Sequence, residues 1–291
     1  MNNLNFGSEI NWAGMWESGI LNAWSQHWIA KYGSISGAWN RMAAEHDRDL
    51  ENSNRIRFVD KIERHSPEAV LDVGAGTGVF ALPLAKHAKK VVAVEPSVGM
   101  LDILKNKAPE YNLTNIEYIN KKWEDMPIDE LIEINGGKYD VVVSSHALYY
   151  ITDLHNSFKK MNDVCKSYVY LLIGGEHNKD TDADSYSKFY ERLHKKPMPS
   201  YPDYSCLYMV LRELGIHPNI EMLDTHAKRY VENMDELINR WKDYLDLGDE
   251  PTEDQRAAIR EYLAGKIKEE DGKLYMEWES KDALIYWRAE E

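Results

Sequence analysis

The sequence predicts an α/β protein built on a doubly wound, mostly parallel β-sheet. Short apolar runs alternate with amphipathic stretches from residue 51 to residue 175. This alternation is typical of parallel strands joined by right-handed crossovers that place helices on both faces of the sheet. The run AVLDV at 69–73 ends in a glycine-rich turn, as we expect for a strand buried on both faces.

The other elements of this region follow in chain order. Residues 52–65 are predicted to form a helix because apolar side chains recur at three-residue steps before Ser66-Pro67. A second helix is predicted over 77–88, where Pro83 should introduce a bend. Four further strands are predicted at 91–95, 115–119, 139–145 and 168–174, with helices at 97–107 and 155–166.

Changes in residue composition and pattern along the chain predict four parts. These are an N-terminal helical cap at 1–50, a core at 51–175, an insertion at 176–203 and a C-terminal part at 204–291. The insertion is polar and closes with three prolines. The C-terminal part is predicted to hold helices at 204–214, 233–246 and 252–268, a strand at 219–230, and two strands at KLYMEW and ALIYWR on either side of Glu279–Asp282.

The N-terminal part is rich in tryptophan and poor in charge. It holds five of the nine tryptophans: Trp12, Trp16, Trp24, Trp28 and Trp39. Gly14 and Gly19 favour two short helices here. A membrane-surface helix would need a basic face, whereas Lys31 is the only lysine or arginine between 1 and 31. Two interpretations stay open, namely an aromatic lid over a small acceptor and ordinary core packing.

Composition excludes several functional classes. The chain has 35 Lys+Arg against 49 Asp+Glu, a net charge of −14, which argues against a nucleic-acid partner. Cys165 and Cys206 are the only cysteines, so neither a disulfide scaffold nor a cysteine-rich zinc site is expected. The histidine spacing predicts no metal site. No apolar run of 18 residues and no leader-like start are found, so we expect a cytoplasmic protein without a membrane segment.

The segment VLDVGAGTG at 70–78 contains the pattern that indicates a ligand-binding turn. Three glycines alternate where a strand ends and a helix begins, so the backbone can approach a ligand and free N–H groups can face it. A dinucleotide-binding turn would require glycine at position 79, which is Val79 here. This makes an NAD(P)-dependent oxidoreductase a weak alternative.

This segment resembles motif I of the class I S-adenosylmethionine-dependent methyltransferases. Later motifs of that family are matched in the same order by VVAVEPS at 91–97, WEDMP at 123–127 and YDVVVSSHALYYITD at 139–153. The resemblance covers roughly 69–175. It implies S-adenosylmethionine as cofactor and a Rossmann-like sheet of seven strands, whose antiparallel last strand would be ALIYWR.

The resemblance also implies site residues. Glu95 would bind the ribose hydroxyls, and Met100 would pack against adenine. Trp123 lies in the segment that matches the adenine loop, and its charged neighbours favour a half-exposed stacking role over plain core packing. The candidate cofactor-binding residues are Asp72, Gly74, Ala75, Gly76, Glu95, Pro96, Met100, Trp123, Glu124 and Ser144.

Candidate reacting residues follow the fourth and fifth strands, because ligands bind at the carboxyl ends of such strands. The candidate catalytic residues are His146 and Tyr149, and the candidate substrate residues are Tyr32, Trp39, Tyr150 and His177. The sequence thus predicts methyl transfer to a small-molecule acceptor through an N, O, S or C nucleophile. A cofactor-binding regulatory or scaffold protein without turnover is the alternative from another class.

Overall fold

The computed structural model describes residues 10–22, 25–48, 54–175, 186–198, 202–248 and 250–289. His177 lies outside the described residues. The strands within them are β1 (Ala69–Val73), β2 (Lys90–Val94), β3 (Ile116–Ile119), β4 (Tyr139–Ser145), β5 (Cys165–Gly174), β6 (Asn219–Val231), β7 (Ile267–Glu270) and β8 (Lys273–Arg288).

The helices divide into a group before the sheet, a group between its strands and a C-terminal group. They are α1 (Trp12–Asn22), α2 (Ser25–Tyr32), α3 (Ile35–Arg48), α4 (Asn54–Glu63), α5 (Ala81–Ala85), α6 (Val98–Glu110), α7 (Ile128–Asn135), α8 (Leu154–Val164), α9 (Tyr186–His194), α10 (Tyr204–Glu213), α11 (Met234–Tyr244) and α12 (Glu253–Ala264). A 3₁₀ turn covers Leu148–Tyr150.

The strands form one sheet in the order β3-β2-β1-β4-β5-β8-β6, and β7 pairs with β8 outside this path. The pairs from β3 to β5 are parallel, whereas β8 runs antiparallel to β5 and to β6. The predicted fold class, a doubly wound sheet of seven strands with an antiparallel last strand, is confirmed. The short strand β7 is an addition that the sequence did not predict.

The central strands are buried on both faces, so successive residues of each strand belong to different cores. Leu71 and Val73 pack with α8 and α10 on one face. Val70 packs with α4, α5 and α6 on the other. This arrangement explains why the strands read as continuous apolar runs rather than as alternating patterns.

Several predicted boundaries were wrong. The helix predicted over 77–88 begins only at Ala81, because the turn that starts at the glycines continues through Phe80. The helix predicted over 252–268 ends at Ala264, and Ile267 already belongs to β7. The two predicted C-terminal strands are one continuous strand, since Glu279–Asp282 pairs with β6 throughout. Helix α7 was not predicted.

The ends of β6 and β8 extend beyond the sheet and carry a second core. β5 ends at Gly174, opposite Asp282, whereas β6 and β8 stay paired through Val231 and Leu274. Eight more residue pairs at about 3.3 Å each carry the ladder roughly 25 Å past the carboxyl edge of the sheet. Helices α9, α11 and α12 pack against this extension around Leu237 and Ile259.

Helix α1 belongs to the main core. The Trp16 side chain is fully buried, and its Nε1 donates a 2.7 Å hydrogen bond to the carbonyl of Ile151. Gly14 and Gly19 both lie inside α1, so the glycines do not mark the break between the two helices. For α1, core packing was therefore the correct interpretation.

Truncation of Trp16 should destabilise the protein. Trp16→Ala should lower the free energy of unfolding by about 3–5 kcal/mol, because it removes a large buried side chain and orphans the Ile151 carbonyl. Urea denaturation measures this loss. Met15→Ala is the matched control on the same helix, since Met15 is 51% exposed. Equal losses for the two variants would contradict the assignment of α1 to the core.

Candidate active site

The candidate active site lies where five parallel strands end together. The carboxyl ends of β1, β2, β3, β4 and β5 share one edge of the sheet because all five run in the same direction. The loops that follow these strands therefore meet above this edge, where ligands of open α/β sheets bind.

The glycine turn after β1 requires its glycines for different reasons. Gly74, Gly76 and Gly78 all have positive φ, at 75°, 54° and 89°. A β-carbon on Gly74 would lie 2.2 Å from Cβ of Ala147, and one on Gly78 would lie 2.2 Å from Leu104. A β-carbon on Gly76 would meet nothing within 4 Å. Gly74 and Gly78 thus permit packing within the protein, whereas Gly76 borders open space.

Glu95 closes this turn from the end of β2. Its carboxylate accepts hydrogen bonds from the backbone N–H of Gly76 at 2.9 Å and of Ser97 at 2.8 Å. Burial raises the pKa of Glu95, and these two N–H donors oppose that shift. The carboxylate is thereby held at the open side of the turn.

Buried polar atoms without partners lie beside the turn. Within the described part of the chain, Asp72 Oδ2 and Thr77 Oγ1 have no hydrogen-bond partner. Burial raises the pKa of Asp72 to about 7, and the nearby Glu95 raises it further. Because buried polar groups are normally paired, these atoms indicate a ligand with its own donors. An adenosyl amino acid with a cationic amino group fits this set.

Asn40 links helix α3 to the segment after β2 through hydrogen bonds. The predicted site residues did not include Asn40. Its Oδ1 accepts a 2.8 Å hydrogen bond from Ser97 Oγ and a 2.9 Å hydrogen bond from the N–H of Gly99. A β-carbon on Gly99 would lie 3.0 Å from the Asn40 carbonyl. The N-terminal helices therefore pack tightly on the start of α6.

The loop after β3 is built differently from the prediction. Trp123 is buried rather than half-exposed, because it packs in the main core with Met126 and Leu131. The ammonium of Lys160 lies 4.7 Å from the centroid of the Trp123 ring. Lys160 also donates to the carbonyls of Trp123 and Met126 at 2.7 and 2.8 Å. Lys160 reaches this loop from α8, and no sequence pattern indicates this contact. Trp123 Nε1 has no partner among the described residues, and Glu124 is exposed.

The remaining predicted cofactor residues are described by their burial and by their hydrogen bonds within the protein. Ser144 is fully buried and its hydroxyl donates to the carbonyl of Val73 at 3.1 Å, so this side chain ties β4 to β1 and is not open to a ligand. The Pro96 carbonyl accepts from Asn120 at 3.1 Å. Ala75 and Met100 are buried beside the turn and at the start of α6.

His146 and Tyr149 lie together after β4. Their rings are stacked with centroids 6.2 Å apart, and the Tyr149 hydroxyl accepts a 2.8 Å hydrogen bond from the N–H of Gly174. His146 Nε2 lies 3.7 Å from a carboxylate oxygen of Asp282, a residue of β8 that the sequence prediction did not include.

Two of the predicted substrate residues meet at the same edge. Trp39 of α3 contacts Tyr150 edge-to-face at 6.0 Å between ring centroids, and Trp28 contacts Trp39 at 5.4 Å. Tyr32 is half-buried at the end of α2, with Lys31 5.3 Å from its ring centroid. These rings provide an apolar wall beside His146's loop.

Comparison with known proteins identifies the fold and a methyltransferase domain. Residues 70–168 match a family model described as "Methyltransferase domain". The solved YcgJ protein of Bacillus subtilis shares the fold, with a TM-score of 0.52 at 13% identity over 81% of this chain and 98% of that chain.

The relatives differ in what they are described to do. An uncharacterized protein of Haemophilus influenzae is 24% identical and covers 95% of this chain and 98% of its own length. A ubiquinone biosynthesis O-methyltransferase of Acinetobacter baylyi is 26% identical over 51% of this chain and 68% of that protein. A probable ribosomal RNA small subunit methyltransferase A of Methanosphaera stadtmanae is 35% identical over 33% of each chain.

Fold, glycine turn and family match together define a class I S-adenosylmethionine-dependent methyltransferase domain. This domain covers residues 70–168 of the chain, and S-adenosylmethionine is the cofactor that methyltransferases of this family use. Among the described residues, no group of three metal-ligating side chains comes together. No helix in the described ranges has the length and apolar character needed to cross a bilayer.

Proposed function

We propose that the protein transfers a methyl group from S-adenosylmethionine to a small-molecule acceptor. One observation carries the cofactor part of this proposal. Gly76 borders open space in a left-handed conformation, and its N–H fixes the carboxylate of Glu95 at the same opening. A turn of this kind is suited to a ligand that needs both close backbone approach and a carboxylate partner.

Each cofactor residue has a distinct role in this proposal. Glu95 would accept hydrogen bonds from the ribose hydroxyls, and Asp72 would face the cationic amino acid end. Met100 and the loop that includes Trp123 and Glu124 would border the adenine. The cofactor supplies a methyl group that its sulfonium charge has already activated. The protein has to align the acceptor with that methyl group and exclude water.

Three features support a small acceptor rather than a nucleic acid. The net charge of −14 disfavours a phosphate backbone. The aromatic wall of Trp39 and Tyr150 would provide the apolar lining of a small-molecule pocket. The ubiquinone-pathway relative matches half of this chain, whereas the RNA-modifying relative matches only a third of it.

In this proposal, each part of the chain has its own function. The core at 51–175 would bind the cofactor, and the cap at 1–50 would contribute Trp39 to the acceptor side. The C-terminal part at 204–291 includes the extension of β6 and β8, which lies at the same edge of the sheet as the cofactor turn, and α9 of the insertion at 176–203 packs against this extension. That extension would form a further wall of the acceptor pocket.

Calorimetry with S-adenosylmethionine tests the cofactor assignment. Glu95→Ala should weaken binding by roughly tenfold to a hundredfold, because two ribose hydroxyls lose a shielded acceptor. Glu117→Ala on β3 is the matched control, since Glu117 is exposed, and it should bind normally. Equal affinity of the folded Glu95 variant and the wild type would contradict the proposal. Turnover of labelled cofactor with small acceptors, and its absence with ribosomal RNA, tests the acceptor class.

A further inference from the structure

We propose that Asp282, held by Thr225, positions His146 as the general base that removes a proton from a hydroxyl acceptor. This inference rests on the proposed methyl transfer and names its acceptor class as a phenol or alcohol. Two of these residues come from strands that are separated from the cofactor turn by about 150 residues or more of sequence.

Asp282 is a buried carboxylate at the carboxyl edge of the sheet. It lies in β8 opposite Gly174 of β5 and Leu223 of β6, and its side chain is only 7% exposed. Its Oδ2 accepts a 2.9 Å hydrogen bond from the hydroxyl of Thr225. Burying a carboxylate is costly unless it is paired, so this position requires a use or strong compensation.

The other oxygen of Asp282 faces His146. Oδ1 lies 3.7 Å from Nε2 of the imidazole, which is a charge contact rather than a hydrogen bond in the free protein. Catalytic hydrogen bonds are often long before the substrate binds. Positive charge on the imidazole during the reaction would shorten this contact, as in other carboxylate–histidine pairs.

The backbone of His146 is held in an unusual conformation that directs its side chain. Its φ is +51°, in the left-handed region that non-glycine residues seldom adopt. The N–H of His146 donates a 2.8 Å hydrogen bond to the carbonyl of Leu172, which stabilises this conformation. Strained residues of this kind concentrate at functional sites.

The imidazole is restrained on two sides and open on another. Tyr149 stacks against the ring at 6.2 Å between centroids and is itself fixed by the N–H of Gly174. Asp282 and the Tyr149 phenol are ionisable groups that face the ring. The His146 side chain is still 44% exposed, so an acceptor can reach it.

This arrangement gives the two ring nitrogens of His146 different roles. With Nε2–H directed to Asp282, the Nδ1 lone pair is the proton acceptor. The acceptor hydroxyl gives its proton to Nδ1, its oxygen lone pair forms the new O–C bond to the methyl carbon, and the S–C bonding pair remains on sulfur. A base is needed only for a nucleophile that is protonated at working pH, which favours a hydroxyl over a carboxylate.

The tautomer of His146 tests the positioning role without turnover. We would record ¹⁵N spectra of the full chain labelled at histidine, with S-adenosylhomocysteine bound, and identify the signals with His146→Asn. The wild type should show the Nε2–H tautomer, and Asp282→Asn should shift the tautomer ratio by about tenfold. Asp224→Asn is the matched control, because Asp224 lies on β6 next to Thr225 with its side chain 84% exposed.

Kinetics with catechol and a nitro-substituted catechol test the acceptor class. Asp282→Asn should lower kcat for catechol by roughly tenfold to a hundredfold and leave KM for the cofactor within about twofold. The loss should shrink for the nitro compound, whose hydroxyl already ionises near neutral pH. Thr225→Val should show the same pattern more weakly.

The outcomes separate the two levels of the proposal. An Nδ1–H tautomer in the wild type, or an unchanged tautomer in Asp282→Asn, overturns the positioning role. Equal losses for the two catechols, or no turnover of either by a protein that binds the cofactor, overturn the hydroxyl acceptor. Failure to bind S-adenosylmethionine at all overturns the proposed function instead.

Discussion

Gly74→Ala is expected to destabilise the whole protein. The new β-carbon would lie 2.2 Å from Cβ of Ala147 and would sit on a backbone with φ of +75°. The left-handed conformation alone costs an alanine about 1–2 kcal/mol, and overpacking in a tight site typically adds about 1–3 kcal/mol. We expect urea denaturation to show a loss of about 2–4 kcal/mol in the free energy of unfolding.

Gly76→Ala is the matched variant, for which we expect a small loss of stability and a large loss of cofactor binding. Its β-carbon meets nothing within 4 Å, although its φ is +54°, so stability should fall by only about 1 kcal/mol. Binding of S-adenosylmethionine should weaken by at least about a hundredfold, because that β-carbon would occupy the space that the cofactor needs.

A double substitution checks the reason for the Gly74 effect. Ala147→Gly removes the atom that the new β-carbon would strike, so it should restore part of the stability lost in Gly74→Ala. Absence of any rescue would mean that the backbone angle, and not the contact with Ala147, dominates. Similar losses of stability in the Gly74 and Gly76 variants would contradict the distinct roles of the two glycines.

The strands of the core could be predicted from sequence because each one is buried on both faces. AVLDV and YDVVVSS leave no polar side to obscure the pattern. The continuity of β8 could not be predicted, because Glu279–Asp282 resembles a charged turn until its pairing with β6 is known. Helix α7 does have local signals, namely Asp129 and Glu130 in its first turn and Gly136 in the left-handed conformation after it.

The cofactor turn was predictable because its parts are adjacent in sequence. Asp72, Gly76 and Glu95 lie on two neighbouring elements and form a local pattern. Lys160 and Asp282 have no such pattern, since the crossover of α8 and the antiparallel return of β8 bring them to the site. The prediction for Trp123 failed for the same reason, because its packing in the main core and its contact with Lys160 both come from residues distant in sequence.

The ionisation of Asp72 links cofactor binding to the stability of the free protein. Burial and the neighbouring Glu95 raise its pKa to about 7 in the folded protein from an ordinary value of 3.8. A carboxyl whose pKa is raised by folding binds its proton more tightly in the native state. Its contribution to stability is therefore greatest below about pH 4 and is lost as the pH rises to about 7.

Asp72→Asn should therefore stabilise the free protein at pH 8 while weakening its function. Removing the buried charge should raise the free energy of unfolding by about 2–4 kcal/mol at pH 8 and leave it nearly unchanged at pH 4. Affinity for S-adenosylmethionine at pH 8 should fall at least about tenfold, because the cationic end of the cofactor loses its carboxylate partner. Urea denaturation at the two pH values and calorimetry measure both effects. Asp102→Asn on α6, where the side chain is 59% exposed, should change neither quantity. A variant that is less stable than the wild type at pH 8 would contradict the destabilising effect of the buried Asp72 charge. A variant that binds the cofactor normally would contradict the role of Asp72 as the partner of the cationic end.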